Sequence, residues 1–93
     1  MKKKFLGLLL VLAVVFSAYA QHDDERFFQV EPIPGGMRII GYNGPGGAVR
    51  IPASIRGQSV TEIGTAVFWR KGLTSVTIPN TMIVIGDGAF NEN

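Results

Sequence analysis

The stretch VRIPASIRGQSVTEIGTAVFWRKGLTSVTIPNTMIVIGDGAF, residues 49–90, carries one pattern twice. Three features return in the second copy: an Ile-Pro pair, an Ile-Gly pair and a phenylalanine, namely Ile51-Pro52 and Ile78-Pro79, Ile63-Gly64 and Ile85-Gly86, and Phe68 and Phe90. The last two features recur after 22 residues and the first after 27, so the first copy holds five extra residues, which we predict to form a loop insertion at 54–59. A period in the twenties is typical of a solenoid, in which each unit buries its apolar side only against its neighbours.

The second copy contains the clearest strand, residues 73–78. Side chains alternate along a strand, so we predict that Val76 and Ile78 face the core while Ser75 and Thr77 face outward. The proline that follows offers no backbone donor and is expected to end the strand.

The first copy is predicted to place its side chains in the same way. Val49 and Ile51 take the inward positions, and Arg50 takes the outward position of a strand residue. Phe68 and Phe90 are expected to be the large side chains that fill the interior of successive units. These assignments describe a core and require no ligand.

The N-terminal residues 1–20 have the pattern of an export signal. Three lysines precede a continuous apolar run, and small residues then favour cleavage between Ala20 and Gln21. A membrane span is the competing interpretation, but it needs about 20 apolar residues, and this run is shorter. We therefore expect an exported protein, periplasmic, cell-surface or secreted, that meets the membrane only through the signal before cleavage.

Removal of that signal changes the charge balance. Residues 21–93 carry six cations and seven anions, a net charge of −1, so the basic character of the whole sequence belongs to its lysine-rich start. A nucleic-acid partner or an anionic membrane would favour a basic stripe, and we expect neither. The chain has no cysteine, so neither a disulfide nor a lipid-modified cysteine is available.

The chain divides into four predicted parts. They are the signal peptide at 1–20, a mobile N-terminus at 21–26, an N-terminal β-hairpin or capping segment at 27–47 with a longer-than-minimal loop, and leucine-rich-repeat-type units at 48–93, divided into 48–72 and an incomplete 73–93. The predicted fold is mostly β, a right-handed solenoid of about two coils after the hairpin.

The repeats resemble the BspA-like leucine-rich repeat family of bacterial surface proteins. The resemblance rests on LTSVTIPN at 73–80, IGDGAF at 85–90 and the looser first copy through Phe68, with a strand-and-glycine lead-in at 39–52. It implies a curved, parallel β-solenoid that acts in adhesion or protein recognition, with a host or envelope protein as partner. It implies no catalytic residues.

Two departures from the family pattern stand out. Many family repeats have a cysteine after the phenylalanine, whereas this chain has Trp-Arg-Lys at 69–71 and Asn-Glu-Asn at 91–93. Family members also carry many repeats, and two units expose an apolar edge and an unpaired strand. Three interpretations stay open: a fragment of a longer product, a truncated paralogue, or a short protein completed by self-association through the exposed C-terminal coil.

The residues offer little support for chemistry. His22, Asp23, Asp24 and Glu25 form the one cluster with metal-binding side chains, but they are consecutive on a predicted loose end. The serines of the repeats have no histidine near them in sequence to act as a base. We therefore predict no catalysis, no cofactor and no metal.

A protein-binding surface is the favoured function, and an envelope assembly module is the alternative. The outward strand positions Arg50, Ser75 and Thr77 are candidates for the binding face. Trp69 and Arg70 are candidates as an aromatic and cationic contact, because both residue types are enriched at interface centres. Small hydroxyl residues also suit any solvated sheet, and Trp69 could simply cover an exposed coil edge.

Overall fold

The computed structural model describes residues 22–93, and the predicted signal peptide lies outside them. Seven strands follow a short 3-10 turn at Glu25–Phe27. They are β1 (Phe28–Ile33), β2 (Gly36–Tyr42), β3 (Gly47–Arg50), β4 (Ser54–Ile55), β5 (Gln58–Ile63), β6 (Leu73–Thr77) and β7 (Val84–Ile85). Within residues 22–93, no helix is both long and apolar enough to cross a membrane.

The first two strands form the predicted hairpin. Ile33 pairs with Gly36, so only Pro34 and Gly35 lie in the turn. The prediction of a longer loop is therefore wrong. Proline favours the first central position of a tight turn, and Gly35 has a φ of +88°, which the second central position of a type II turn requires.

The five extra residues of the first copy are paired rather than looped. Ser54 lies opposite Ser59 and Ile55 opposite Gln58, which makes a second tight hairpin from β4 and β5. Ile55 is 2% exposed and belongs to the core. The predicted loop insertion at 54–59 is thus a correction: burial of Ile55 gives the segment an apolar anchor that sequence spacing alone does not reveal.

Two parallel ladders join equivalent positions of the repeats. In the first ladder, β2, β5 and β7 lie side by side, with Ile39, Ile63 and Ile85 in register. The N–H of the glycine after each isoleucine donates to the isoleucine of the preceding strand, Gly64 to Ile39 at 2.9 Å and Gly86 to Ile63 at 2.7 Å. The hairpin strand β2 is thus a third member of the stack.

The second ladder pairs β3 with β6 in parallel. Val49 lies beside Val76 and is buried, as the alternation predicts, and Val76 is partly buried. Ile78 is 40% exposed, so its prediction as a core residue is wrong. Its counterpart Ile51 is only 4% exposed. The two differ because the second repeat covers Ile51, whereas no described strand follows Ile78.

An aromatic stack runs through the core. Phe28, Tyr42, Phe68 and Phe90 follow one another with ring centroids 5.2, 5.1 and 5.2 Å apart. These distances approach the spacing of neighbouring strands, about 4.7–4.9 Å, because each ring belongs to a successive level of the stack. Phe68 is fully buried and Phe90 stacks on it, which confirms their predicted role as interior side chains.

The close approach of successive levels is sharpest at Gly86. A Cβ atom added there would lie 2.6 Å from the backbone carbon of Gly64 and 2.7 Å from the nitrogen of Thr65. Glycine is therefore required for the backbones to pack this closely.

Candidate functional site

The outward side of β3 and β6 brings three of the candidate residues together. The parallel register puts Ala48 beside Ser75 and Arg50 beside Thr77, and all four side chains are exposed. We call this surface, formed by residues 48, 50, 75 and 77, the ladder face. It is small and flat, with hydroxyl groups and a single cation.

Asp23 shapes the edge of the ladder face. Its backbone N–H donates to the Arg50 carbonyl oxygen at 3.0 Å, and its Oδ2 accepts from the Arg50 backbone N–H at 3.0 Å. Glu25 Oε1 similarly accepts from the backbone N–H of Arg56 at 3.2 Å. Sequence reasoning predicts a mobile end at 21–26, whereas the structure ties residues 23 and 25 to the strand and turn beside them.

The Arg50 side chain is only loosely paired. Its Nε lies 3.8 Å from Asp23 Oδ1, and the side chain is 50% exposed. This geometry leaves most of the guanidinium donors open to solvent, and an arginine has five of them. Arg50 is thus able to contact a carboxylate on a partner without first breaking a strong internal ion pair.

Arg38, in contrast, is fully engaged on the other ladder. It donates from Nη1 to Glu31 Oε1 at 2.8 Å and from Nε to Glu62, so one arginine bridges the carboxylates of two neighbouring strands. These carboxylates, Glu62 above all, raise the pKa of Arg38. This charged row therefore binds the strands together, and its cation is committed to that role.

Trp69 and Arg70 lie on the turn before β6, and both contact Glu92. The indole Nε1 donates to Glu92 Oε2 at 3.1 Å, and Arg70 Nη2 donates to Glu92 Oε1 at 3.1 Å. The guanidinium carbon lies 4.9 Å from the centre of the Trp69 ring, a cation–π contact. The indole remains 45% exposed. The pair is thus held in place by the next repeat and stays accessible.

Glu92 and Asp23 are the functional neighbours that sequence reasoning missed. Arg70 and Glu92 are 22 residues apart, the spacing of the repeat itself, so the register could have revealed this ion pair. Asp23 is 27 residues from Arg50 and belongs to no repeat, so no local signal points to their contact.

The acidic cluster near the start of the described segment does not converge. Asp24 pairs with Arg26 at 2.7 Å, while Asp23 and Glu25 accept from strand and turn residues. The Arg26 side chain and backbone N–H hold the pKa of Asp24 at about 2. Each carboxylate thus has its own partner, and no three metal-binding side chains converge among residues 22–93.

The fold is similar to that of a solved bacterial protein. The crystal structure of a leucine-rich repeat protein from T. pallidum matches with a TM-score of 0.72 and 34% sequence identity over 75% of this chain. The chain has a leucine-rich repeat fold. It spans 34% of the length of that protein, about a third. No protein-family model matches the chain, and no curated protein does.

A leucine-rich repeat fold explains why the candidate residues divide into two groups. Equivalent strand positions lie side by side, which brings Arg50 and Thr77 together. Turn positions stack in the same way, which brings Arg70 and Glu92 together. Folds of this class serve as protein-interaction modules, since their repeated strands create continuous surfaces.

Proposed function

We propose that this leucine-rich repeat protein is an exported, BspA-like recognition module without catalytic activity. It binds a host or envelope protein through the ladder face. The loose pairing of Arg50 beside Thr77 carries this proposal, because it gives an otherwise plain polar strand surface an available cation. Its partner is a protein that presents a carboxylate beside a polar, extended surface.

We infer further that the two parallel ladders are two sides of a right-handed solenoid of about two coils. The parallel pairing of β3 with β6 and of β5 with β7 supports this inference, because the chain returns to the same side after each repeat. Crossover connections between parallel strands of one sheet are right-handed in about 98% of cases.

The size of the ladder face limits the affinity of one molecule. Stable interfaces bury about 800 Å² on each partner, and two short strands offer only part of that area. Trp69 and Arg70 extend the available surface with residue types that are enriched in binding hot spots. A single copy is therefore expected to bind weakly and reversibly.

The proposed export rests on residues 1–20. A lysine-rich start, an apolar run and small residues before position 21 are the features that signal peptidase processing requires. N-terminal sequencing of the chain recovered from cell fractions tests this directly. We expect a mature chain that begins at Gln21 in the periplasmic, surface or secreted fraction; an uncleaved chain in the cytoplasm would contradict export.

Binding is tested with the mature chain on immobilised extracellular-matrix proteins, cultured host cells and purified envelope proteins. Arg50→Glu reverses the charge of the ladder face and should weaken saturable binding by about tenfold, equivalent to 1.4 kcal/mol. Arg56→Glu is the matched control, because Arg56 is exposed and lies on the β4–β5 turn. Equal losses in both variants, or no saturable binding by the parent chain to any of these targets, would contradict the proposal.

An assembly role in the envelope is the second candidate. It is favoured by a different observation: four large apolar side chains between residues 78 and 85 are exposed at the C-terminal end of the stack. Recognition and assembly are distinguishable, because the ladder face and this apolar end involve different residues.

A further inference from the structure

Equivalent residues of the two repeats differ sharply in burial. Ile63 is fully buried, but Ile85, its neighbour in register, is 48% exposed. Ile51 is 4% exposed and its counterpart Ile78 is 40% exposed. The chemistry of each pair is the same, so the difference arises because another level of the stack covers only the first member.

The exposed residues form one concentrated apolar surface. Of the six large hydrophobic side chains exposed among residues 22–93, four lie between positions 78 and 85: Ile78, Ile83, Val84 and Ile85. Phe90 adds a ring that is stacked on Phe68 and only partly buried. We call this surface, residues 78, 83, 84, 85 and 90, the C-terminal face. Concentrated exposed apolar surface of this kind typically marks an interaction site.

Two strand edges border the C-terminal face. In the described part of the chain, β6 pairs only with β3 and β7 pairs only with β5. Their outer edges therefore present backbone groups able to pair with another strand. The repeats themselves show what covers such a face: a further level of strands with aliphatic side chains in register.

The opposite end of the stack is closed. β1 runs antiparallel to β2 and covers its outer edge, and Pro32 within β1 weakens any further pairing there. Phe27 and Phe28 pack against Tyr42, with centroids 6.4 and 5.2 Å away. A second copy cannot use this end to cover the C-terminal face, so head-to-tail stacking is disfavoured.

We propose that the C-terminal face binds the same face of a second copy of this chain, which gives a closed, two-fold dimer. A two-fold arrangement brings each strand edge against its own counterpart, so like strands pair antiparallel. Charge does not oppose this contact. Residues 78–93 carry only Asp87 and Glu92 as charged side chains, and Glu92 is neutralised by Arg70.

The dimer would display two ladder faces on one particle. Linking two weak sites raises the apparent affinity for a repetitive surface without any new contact. This consequence rests on the proposed recognition function, but the dimer itself does not, since it depends only on the C-terminal face.

Sedimentation velocity of the mature chain, residues 21–93, tests the dimer between about 1 µM and 1 mM. We expect a monomer–dimer equilibrium with no larger species. A chain that stays monomeric over this range would overturn the proposal, and so would an open series of oligomers.

Two lysine variants locate the contact. Ile83→Lys changes a side chain that is 79% exposed, so the monomer loses little packing, and it should weaken dimerisation by at least about tenfold. Ile40→Lys is the control, because Ile40 is 50% exposed on β2, away from the C-terminal face. Equal weakening by both variants would overturn the assignment of this face.

Hydrogen exchange provides a readout that needs no variant. The backbone amides of β6 and β7 should exchange more slowly at high protein concentration, while those of β1 should not change. Protection of β1 instead would place the contact at the other end of the stack. Loss of ladder-face binding in Arg50→Glu with an unchanged dimer would separate the two proposals.

Discussion

Phe90 lies 5.2 Å from Phe68, centroid to centroid, and the two rings are only 10° from parallel. The residues are 22 positions apart, the period of the repeat. Phe68 is fully buried between the rings of Tyr42 and Phe90, whereas Phe90 has a ring neighbour on one side only. The same residue type therefore occupies two positions of unequal burial in one stack.

This inequality predicts different costs of truncation. Phe68→Ala should lower the free energy of unfolding by about 3–5 kcal/mol, because it leaves a cavity inside the stack. Phe90→Ala should have a smaller effect, since the site is already partly open to solvent. Urea unfolding of both variants at a protein concentration where the chain is monomeric measures the difference. Equal losses would contradict the position of Phe90 at the end of the stack.

Gly86 offers a test of backbone packing between levels. Gly86→Ala places a Cβ within 3 Å of the Gly64 backbone, so we expect a loss of about 1–3 kcal/mol in the free energy of unfolding. Gly41→Ala is the matched control, since its Cβ would meet only the flexible end of the Gln29 side chain, at 2.7 Å. Thermal unfolding of the two variants should differ clearly. A harmless Gly86→Ala would mean that successive levels are not in close contact.

Asn93 ties the last residues of the chain to the preceding turn. Its Oδ1 accepts from the backbone N–H groups of Lys71 at 3.1 Å and Leu73 at 2.9 Å, and its Nδ2 donates to the Phe68 carbonyl at 2.6 Å. Asn93→Ala leaves these groups without partners and should reduce stability by about 1–3 kcal/mol. Asn80→Ala is the control, because Asn80 is exposed and its side chain makes no hydrogen bond within residues 22–93. Comparable unfolding midpoints for the two variants would contradict this role.

Tyr42 makes stability depend on alkaline pH. Burial, with a smaller contribution from Asp23, raises the pKa of this phenol above its ordinary value of 10.0. The folded state therefore binds the proton more tightly than the unfolded state. Its stabilising contribution is complete below about pH 10 and is lost as the pH rises through the folded-state pKa.

Ultraviolet absorbance of the phenolate measures this titration. The mature chain contains Tyr42 as its single tyrosine, because Tyr19 lies in the predicted signal peptide. We expect a titration above the ordinary tyrosine range, and a Tyr42→Phe variant whose stability no longer falls in the same alkaline window. A phenol that titrates at its ordinary value would contradict its burial in the stack.

The repeat register could be predicted from sequence, because it depends on residue types that recur at one spacing. Ile63 and Ile85 lie side by side as the 22-residue shift requires. The role of β2 as a further level could not be found in this way. Ile39 is followed by its aromatic residue after three positions, whereas Ile63 precedes Phe68 by five, so the shared register is hidden by unequal spacing.

The exposure of Ile78 shows a limit of pattern reasoning. Alternation along β6 assigns a side chain to one side of a strand, but burial also depends on what lies above that strand. Ile51 and Ile78 share a sequence context and differ only in whether another level covers them. A local pattern contains no information about that neighbour.

The candidate site was likewise predictable only in part. The neighbouring positions of Arg50 and Thr77 follow from the repeat, so sequence alone brings them together. The contact of Asp23 with Arg50 joins the repeats to a segment outside their register, and only the folded structure reveals it. The available guanidinium of Arg50 is therefore a structural finding.

The most direct test of the stacked repeats is NMR detection of scalar coupling across their backbone hydrogen bonds. The Gly86 nitrogen should couple to the carbonyl carbon of Ile63, and the Gly64 nitrogen to that of Ile39, because these pairs are bonded at 2.7 and 2.9 Å. Both couplings together would establish three levels in parallel register. Coupling of Gly86 to a carbonyl in its own repeat, with rapid amide exchange, would contradict the account.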